Sequence, residues 1–574
     1  MKRTPPSNHF SIYIGVFFKN LTIILSFLVI VLIVVWISLL QFRAPKIVPI
    51  NGDMNQFSAE RAFEHVRELA VKPHPIGTEE HDRVRDYLVR ALTDLGVSPE
   101  TQKTKSSYWD LEGDKIEIEN IIARIPGKDH SKAIMLSAHY DSVEDSPGAA
   151  DDGAAVAAIL ETVRVLLNSP SLKNDVIILI SDGEEYGLLG AQSFVNSHPF
   201  VKDVGLVFNF EARGSSGPSI LIETNEGNER LISEFIKGTP NPVAHSFLYE
   251  VYKRMPNDTD FSIYKNSGID GLNFAFFEGL KNYHTLEDNI ENLSPNSLQH
   301  HGEYMVNLIQ HFGDMNIVAQ NDEGNKVYFN VMGKHIVSYS EKLVIPLMGL
   351  VIICFALTII HGFKRKKLTV QGIYLGFFFF LLAICLAYFL GYGFWHYLPL
   401  IIPQNSSLMQ LDLRISHPLF ISLVLITFAI FSLFYQVVSK KINLGNLTIG
   451  AYFSWFLLVI FTSFFMKGTS YIFIWPTLIG LIGVNILFSL KVEASLKSRV
   501  ITTIFALPVL IITVPVLYLV YALLSLERVD LLLAFTILNG AFIIPLLNKP
   551  KQSFAFELPV ILLSVGLLVF CFIK

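Results

Sequence analysis

The chain has 574 residues, of which 51% are hydrophobic, and its mean hydropathy is +0.44. These values are too high for an ordinary soluble enzyme, so part of the chain is expected to lie in a membrane. The formal net charge is -5 at pH 7 and the isoelectric point is about 6.4, so nothing in the composition indicates a nucleic-acid partner.

The first apolar run predicts a transmembrane helix. Residues Leu21 to Leu40 carry no charge, which is enough helix to cross roughly 30 Å of hydrocarbon. The apolar core of a signal peptide would be only about 7–15 residues long and would end at a small-residue cleavage site. We therefore predict that residues 1–41 form a cytoplasmic leader and a retained membrane helix.

Residues 42–335 carry most of the charge and are predicted to form one extracytoplasmic α/β domain. Ser58 can cap a first helix, and a second helix is expected from Glu79 to Leu95, ended by Gly96. The predicted strands are Ile116–Ile125, Ala133–Ser137, Asp175–Ser181 and Val204–Phe210, and further helices are predicted after Gly153 and over Gly190–Asn196. Apolar strands that alternate with helices favour a mixed, largely parallel sheet sandwiched by helices.

Residues 336–574 are predicted to form a membrane domain of about eight transmembrane helices. The apolar segments are about 343–361, 371–394, 417–438, 447–466, 470–490, 500–524, 531–547 and 557–573. The three cysteines, Cys354, Cys385 and Cys571, all lie in such segments. The predicted globular domain therefore has no thiolate to bind a metal or to act as a nucleophile.

The distribution of basic residues predicts the orientation of these helices. If the N-terminus is cytoplasmic, the cytoplasmic loops contain the basic run 364–367, the pair Lys440-Lys441 and the basic residues of 491–499 and 549–551. The opposite loops contain little more than Arg414, Lys467 and Arg528. Basic residues favour the cytoplasmic side, so the globular domain is predicted to be periplasmic, lumenal or vacuolar.

Acidic and imidazole side chains follow the predicted strands of the globular domain. His139 and Asp141 end one strand, and Glu184-Glu185 and Glu211 come after two others. An acidic pair, Asp151-Asp152, precedes the small-residue helix, and His284 lies in a loop after another apolar run. Ligands bind at the carboxyl ends of strands in open α/β sheets, and imidazole with carboxylate suits Zn²⁺. Each residue alone would more often be structural, whereas the set together predicts a metal site.

These motifs resemble the M28 family of co-catalytic metallopeptidases. The blocks H-x-D, D-D-G, D-G-E-E, E-A-R-G and Y-H-T-x-x-D-N begin or centre on His139, Asp151, Asp182, Glu211 and Tyr283 and occur in the family's order. The resemblance covers residues 58–315 and implies a zinc-aminopeptidase-like fold. The layout, with one span before the peptidase domain and about eight after it, resembles the multi-pass branch of vacuolar and endoplasmic-reticulum membrane peptidases.

The resemblance implies two zinc ions per chain. Asp151 would bridge both ions, with Asp152 as the alternative bridging residue. The other implied ligands are His139 and Glu211 for one ion and Glu185 and His284 for the second. Glu211 replaces the aspartate of many soluble members, which keeps the charge and lengthens the side chain by one methylene.

The resemblance also implies the catalytic residues. Glu184 would be the general base that takes a proton from the attacking water, and Asp141 would accept the second ring N–H of His139 and fix its tautomer. Arg213 is a candidate for binding a substrate carboxylate, with pairing to a neighbouring acid as the alternative. Tyr283 is a candidate pocket residue, with core packing as the alternative.

The expected function is that of a membrane-bound zinc exopeptidase, most consistent with an aminopeptidase, whose partners are a peptide substrate and the lipid bilayer. A carboxypeptidase is a rival, because Arg213 would bind a terminal carboxylate. Glutaminyl-cyclase chemistry on the same fold is disfavoured, because all ligand positions for two metals and the Glu184 base are present. A third rival is a multi-pass transporter or scaffold whose globular domain only binds. The sequence does not indicate an oligomeric state.

Overall fold

The computed structural model describes residues 29–107, 115–129, 132–317, 324–397, 413–490 and 496–546. The leader, the first part of the predicted N-terminal span and the predicted span 557–573 lie outside these residues. What is described of the first span is an apolar helix, α1, Val29–Phe42.

A seven-stranded mixed sheet forms the centre of the globular part. The strands are β1 (Glu100–Ser107), β2 (Lys115–Ile125), β3 (Ala133–His139), β4 (Asp175–Ser181), β5 (Val204–Ala212), β6 (Ile220–Thr224) and β7 (Gly271–Phe276). Their spatial order is β1-β2-β4-β3-β5-β7-β6. The central four, β4-β3-β5-β7, run parallel, whereas β1, β2 and β6 pair antiparallel at the edges. The predicted mixed, largely parallel sheet is confirmed.

Helices cover both faces of this sheet. They are α2 (Ala59–Leu69), α3 (Glu79–Asp94), α4 (Gly153–Leu167), α5 (Leu189–Ser197), α6 (Glu229–Gly238), α7 (Ser246–Tyr252), α8 (Asp260–Asn266) and α9 (Pro295–Gly313). Ser58 caps α2 and Thr78 caps α3, each accepting a main-chain N–H from three residues on. The predicted helices after Ser58, from Glu79 and over Gly190–Asn196 are thus present, with bounds shifted by one or two residues.

The central strand β3 shows why the sheet needs cover on both sides. Ile134 and Leu136 belong to the core formed with α2, α4 and α9, whereas Ala133 and Met135 pack in a second core with α5 and α8. Successive side chains of a strand point to opposite faces, so a strand that is apolar at every position must be buried on both. All seven residues of β3 are buried accordingly.

The C-terminal part is a helical bundle. Its helices are α10 (Val344–Lys364), α11 (Val370–Tyr397), α12 (Leu413–Val438), α13 (Leu444–Phe465), α14 (Tyr471–Ser489), α15 (Leu496–Leu524) and α16 (Val529–Asn539). Within the described residues, six helical segments are long and apolar enough to cross a membrane, and 497–546 counts as one of them because only a short turn separates α15 from α16. The predicted C-terminal multi-pass helical architecture is confirmed.

The globular part and the bundle share a hydrophobic core. A hairpin of β8 (Lys326–Val331) and β9 (His335–Ser340) leads into α10. The ring of Phe329 in this hairpin lies parallel to the ring of Tyr471 in α14, with 4.2 Å between centroids. Phe247 of α7 and Leu519 of α15 are buried in the same cluster, together with Phe42 of α1. The two parts are therefore packed as one body.

Candidate metal centre

Four adjacent parallel strands bring the predicted site residues to one edge of the sheet. His139 is the last residue of β3, and Glu211 is the penultimate residue of β5. Glu184 and Glu185 follow the end of β4 by three and four residues, and His284 lies in the loop after β7. Because β4, β3, β5 and β7 are parallel neighbours, their carboxyl ends meet, and the predicted side chains meet with them.

One half of the cluster lies around His139. Its Nε2 atom is 3.3 Å from Asp151 Oδ1 and 3.7 Å from Glu211 Oε2. All three side chains are buried, and their ligand-type atoms lie within 4.8 Å of one another. This triad provides one imidazole nitrogen and two carboxylate oxygens.

The other half lies around His284. Its Nε2 atom is 3.2 Å from Asp151 Oδ2 and 3.0 Å from Glu185 Oε1. Asp151 therefore belongs to both halves, with a different carboxylate oxygen facing each imidazole. Its neighbour Asp152 is turned toward the sheet, where Oδ2 accepts the main-chain N–H of His139 at 3.3 Å.

Asp141 organises the loop that carries the two glutamates. Its Oδ1 accepts the main-chain N–H of Glu184 at 3.1 Å, and Oδ2 accepts that of Glu185 at 3.2 Å. The Nδ1 atom of His139 is 3.0 Å from the main-chain oxygen of Asp141 and 3.4 Å from Oδ1. Either acceptor keeps the proton on Nδ1, so Nε2 presents its lone pair to the carboxylates.

The carboxylates of the cluster strongly affect one another. Burial, together with the charge of Glu211, raises the pKa of Glu184 well above its usual range. Burial likewise raises the pKa of Glu211 to about 8, although His139 opposes this shift. Burial also acts to raise the pKa of Asp151, but the neighbouring imidazoles of His139 and His284 outweigh it and the pKa is lowered. So many buried carboxylates repel one another unless positive charge lies between them.

The residues present fit a metal ion. The Nε2 atoms of His139 and His284 are buried, and neither has a hydrogen-bond partner among the described residues. Both face carboxylate oxygens, and a nitrogen and oxygen donor set of this kind suits Zn²⁺. Three overlapping triads each bring three possible ligand atoms within 4.8 Å of one another. They are His139, Asp151 and Glu211; His139, Glu184 and Glu185; and Asp151, Glu185 and His284.

Arg213 and Tyr283 lie on the loops that surround the cluster. The ring of Tyr283 stacks on that of His284, with 3.8 Å between centroids, and burial with the charge of Asp151 raises the pKa of Tyr283. Arg213 directly follows β5, and its main-chain N–H donates to Phe276 at 3.0 Å. Among the described residues its guanidinium makes no ion pair, although its charge acts on Tyr283 and lowers that pKa in part.

Two supporting carboxylates were not assigned from the sequence. Asp288 accepts the main-chain N–H of Asp151 at 3.2 Å, and its position in the Y-H-T-x-x-D-N block was a signal for it. Asp260 accepts the hydroxyl of Ser181 at 2.5 Å beneath the cluster, and no local pattern distinguishes it.

The fold and this cluster define an α/β protein with a group of carboxylates and imidazoles at the strand ends that could hold a metal ion. Residues 120–309 match the model of peptidase family M28. The chain therefore carries an M28 peptidase domain, and the predicted family is confirmed.

The curated relatives include a vacuolar membrane protease and an endoplasmic reticulum metallopeptidase. The chain is 33% identical over 278 residues to the vacuolar membrane protease of Candida albicans, which covers 48% of this chain and 32% of the relative. It is 28% identical over 324 residues to endoplasmic reticulum metallopeptidase 1 of Rattus norvegicus, a match that covers 51% of this chain and 35% of the relative. The matched part thus spans about one third of these relatives' length, and it agrees with the predicted membrane branch.

Solved structures of similar outline include a glutaminyl cyclase and an aminopeptidase. The cyclase, from Porphyromonas gingivalis, aligns with 45% of this chain and 98% of its own, at 23% identity and a TM-score of 0.37. The aminopeptidase, from Aneurinibacillus sp. strain AM-1, aligns with 47% of this chain and 98% of its own, at 14% identity and a TM-score of 0.38.

Proposed function

We propose that this protein is a membrane-bound zinc exopeptidase, acting as an aminopeptidase, with two zinc ions per chain. His139, Asp151 and Glu211 would hold one ion, and His284, Asp151 and Glu185 the other. One observation carries the proposal: the two carboxylate oxygens of Asp151 face the Nε2 atoms of two different imidazoles, at 3.3 and 3.2 Å. A carboxylate so placed is suited to bridge two cations.

In this proposal Glu184 is the general base. Bound zinc would polarise the scissile carbonyl and make water more acidic. Glu184 belongs to neither of the two triads that share Asp151, although its carboxylate also lies close to His139 and Glu185. Its main-chain N–H donates to Asp141 at 3.1 Å. In this proposal its carboxylate binds no zinc and is available to move a proton. It accepts one proton from the attacking water and gives it to the leaving amine as the peptide C–N bond breaks.

Glu184→Gln in the full chain tests the base. It is expected to lower kcat for peptide hydrolysis by about 10²–10⁴-fold with zinc content unchanged, because Gln cannot accept the proton. Glu185→Gln should lose both zinc and activity. Glu144→Gln, an exposed carboxylate of the neighbouring loop, is the matched control and should behave as wild type. Hydrolysis that survives both Glu184→Gln and chelator would contradict the proposal, whereas a wild-type chain that hydrolyses no peptide would favour a domain that only binds.

A carboxypeptidase is the second candidate, and Arg213 supports it. Its guanidinium has no ion-pair partner among the described residues and lies close enough to Tyr283 to affect its pKa. A guanidinium can hold a terminal carboxylate through two parallel hydrogen bonds. Peptides blocked at either end decide between the two activities. Loss of cleavage on N-acetylation supports the aminopeptidase, whereas loss on C-amidation and in Arg213→Lys supports the carboxypeptidase.

The proposed arrangement in the membrane follows the basic residues. Residues 1–41 would be the cytoplasmic leader and first span, 42–335 the peptidase domain and 336–574 the membrane domain. The basic residues of 364–367 lie at the end of α10 remote from the globular part, which supports a periplasmic, lumenal or vacuolar peptidase domain.

A further inference from the structure

The loop that carries His284 lies between the metal centre and the membrane helices. We call residues 277–284 the site loop; it begins directly after β7 and ends at His284. A cavity at its outer side is lined by Phe277, Leu280 and Lys281 from the loop and by His417, Tyr518 and Tyr521 from α12 and α15. The site loop therefore contacts the bundle without an intervening element.

Glu278 is the residue through which this contact is made. Its main-chain N–H donates to Ser216 at 3.0 Å, and its carbonyl accepts the N–H groups of Ser215 and Ser216 at 2.9 Å. These bonds join the site loop to the loop that follows β5 and Glu211. The side chain of Glu278 points the other way and accepts a hydrogen bond from the hydroxyl of Tyr518 in α15.

Tyr518 is itself held in place by its surroundings. Its ring packs on Phe42 at the end of α1, with 4.6 Å between centroids. Phe42 and the neighbouring Leu519 belong to the core that the two parts of the protein share. The Tyr518 ring is thus held by packing within the bundle, and its hydroxyl donates a hydrogen bond to the site loop.

Little freedom remains between Glu278 and His284. Gly279 adopts a left-handed conformation with φ 77°, and a Cβ there would lie 2.6 Å from Ser215 Oγ, so only glycine fits. The Asn282 side chain donates to the same Ser215 Oγ at 2.6 Å, and its main-chain N–H donates to Gly279 at 2.9 Å. Tyr283 then stacks on His284. A shift of Glu278 would consequently be transmitted to the imidazole.

We propose that Tyr518 of membrane helix α15 is a positioning residue of the metal centre: by holding Glu278, it sets the place of His284. The proposal rests on the zinc site proposed above. It gives the bundle a role beyond membrane attachment, because the second half of the metal centre is built on a loop that the bundle orients. The peptidase site would then be complete only when the membrane helices are packed against it.

The test compares two tyrosines of α15 in the full chain in detergent. Tyr518→Phe removes the hydroxyl that bonds Glu278 and keeps the ring. Tyr521→Phe is the matched control, because the hydroxyl of Tyr521 bonds Ser416 inside the bundle at 3.0 Å and not the site loop. Competition with a chelator measures zinc affinity, and amide exchange measures the opening of residues 277–288.

Tyr518→Phe is expected to weaken the weaker of two zinc-binding steps by about 10–100-fold and to speed amide exchange in the site loop. Tyr521→Phe should change zinc affinity less than twofold. Glu278→Gln keeps an acceptor for the Tyr518 hydroxyl and should retain near wild-type zinc affinity. Glu278→Leu removes the acceptor and should weaken zinc binding as much as Tyr518→Phe does. The double variant Tyr518→Phe/Glu278→Leu should be no worse than either single change.

The proposal is overturned if both tyrosine variants bind zinc alike and exchange alike in the site loop. It is also overturned if Tyr518→Phe lowers only the melting temperature. A wild-type chain that binds no zinc would contradict the proposed function instead. The exchange of the site loop would then decide on the positioning role: faster exchange in Tyr518→Phe than in Tyr521→Phe supports it, and equal exchange overturns it.

Discussion

The Oδ2 atom of Asp288 accepts the main-chain N–H of Asp151 at 3.2 Å, so a residue four positions after His284 holds the loop of the shared carboxylate. Its Oδ1 accepts the N–H of Ala150 at 2.8 Å, and Ser146 donates its hydroxyl to Oδ2 at 3.3 Å. Both oxygens of this buried side chain are therefore used, and the loops of the two half-sites are joined through it.

Asp288→Asn is expected to weaken zinc binding by about 10–100-fold, because the amide replaces one of two acceptors and leaves a buried N–H without a partner. Titration of the chelator-treated full chain with zinc measures this. Asp145→Asn, an exposed carboxylate in the same loop, is the control and should bind as wild type does. Equal affinity of the two variants would show that Asp288 does not hold the Asp151 loop in place.

Gly302 on α9 is predicted to tolerate no side chain. A Cβ there would lie 2.0 Å from Cε2 of Phe57, whose ring is buried beneath α2 and α9. Gly302→Ala should therefore lower the free energy of unfolding by about 1–3 kcal/mol, measured by denaturant titration. The combination with Phe57→Leu should cost less than the sum of the two changes. Gly349→Ala, where the added Cβ meets nothing within 4 Å, should leave stability unchanged or slightly raised.

The free energy of unfolding is predicted to decrease at acidic pH because His300 becomes protonated. This buried side chain accepts the N–H of Ser219 and its other ring nitrogen bonds the carbonyl of Asn241, both at 3.0 Å. Burial lowers its pKa from 6.5 to about 4, with the Asn241 carbonyl opposing the shift in part. Because the folded pKa lies below the unfolded one, the contribution is complete above about pH 6.5. It is lost as the pH falls through 6.5 to 4, and it amounts to about 3 kcal/mol.

His300→Gln separates this effect from general acid denaturation. Gln can accept from Ser219 and donate to Asn241 but does not titrate in this range. The fall in melting temperature between pH 7 and pH 4.5 should be smaller in this variant than in wild type. His335→Gln, at an exposed position on β9, should keep the wild-type slope. An equal fall in melting temperature between pH 7 and pH 4.5 in all three proteins would mean that His300 does not cause the loss of stability in acid.

The proposed orientation predicts opposite labelling of two introduced cysteines. With the three native cysteines replaced by alanine, Lys364→Cys at the end of α10 should react with an impermeant maleimide in sealed inside-out vesicles. Lys105→Cys on β1 should react only after detergent is added. The reverse pattern would place the peptidase domain on the cytoplasmic side.

The central strands were predictable because burial on both faces leaves a continuous apolar run. The edge strand β1, with the sequence ETQKTKSS, has no such run and was not predicted. It forms because every one of its residues pairs with β2, a tertiary effect that no local pattern reveals. The edge strand β6 was also not predicted, although all five of its residues are buried.

The site was predictable as a set of residue types, since their order matched a family pattern. Its geometry was not, because the meeting of His139 and His284 around Asp151 depends on which strands are neighbours. The contact between Glu278 and Tyr518 joins residues 240 positions apart, and no local sequence pattern marks either residue. Such contacts are visible only when the globular part and the bundle are seen together.

The parallel stack of Phe329 on Tyr471 has a practical consequence for handling this protein. A fragment of residues 43–335 would contain no membrane helix and yet would expose Phe329, Phe247 and their neighbours to water. An exposed apolar patch of this kind promotes aggregation. Biochemistry and inhibitor screening should accordingly use the intact chain in detergent or nanodiscs, where this surface stays covered.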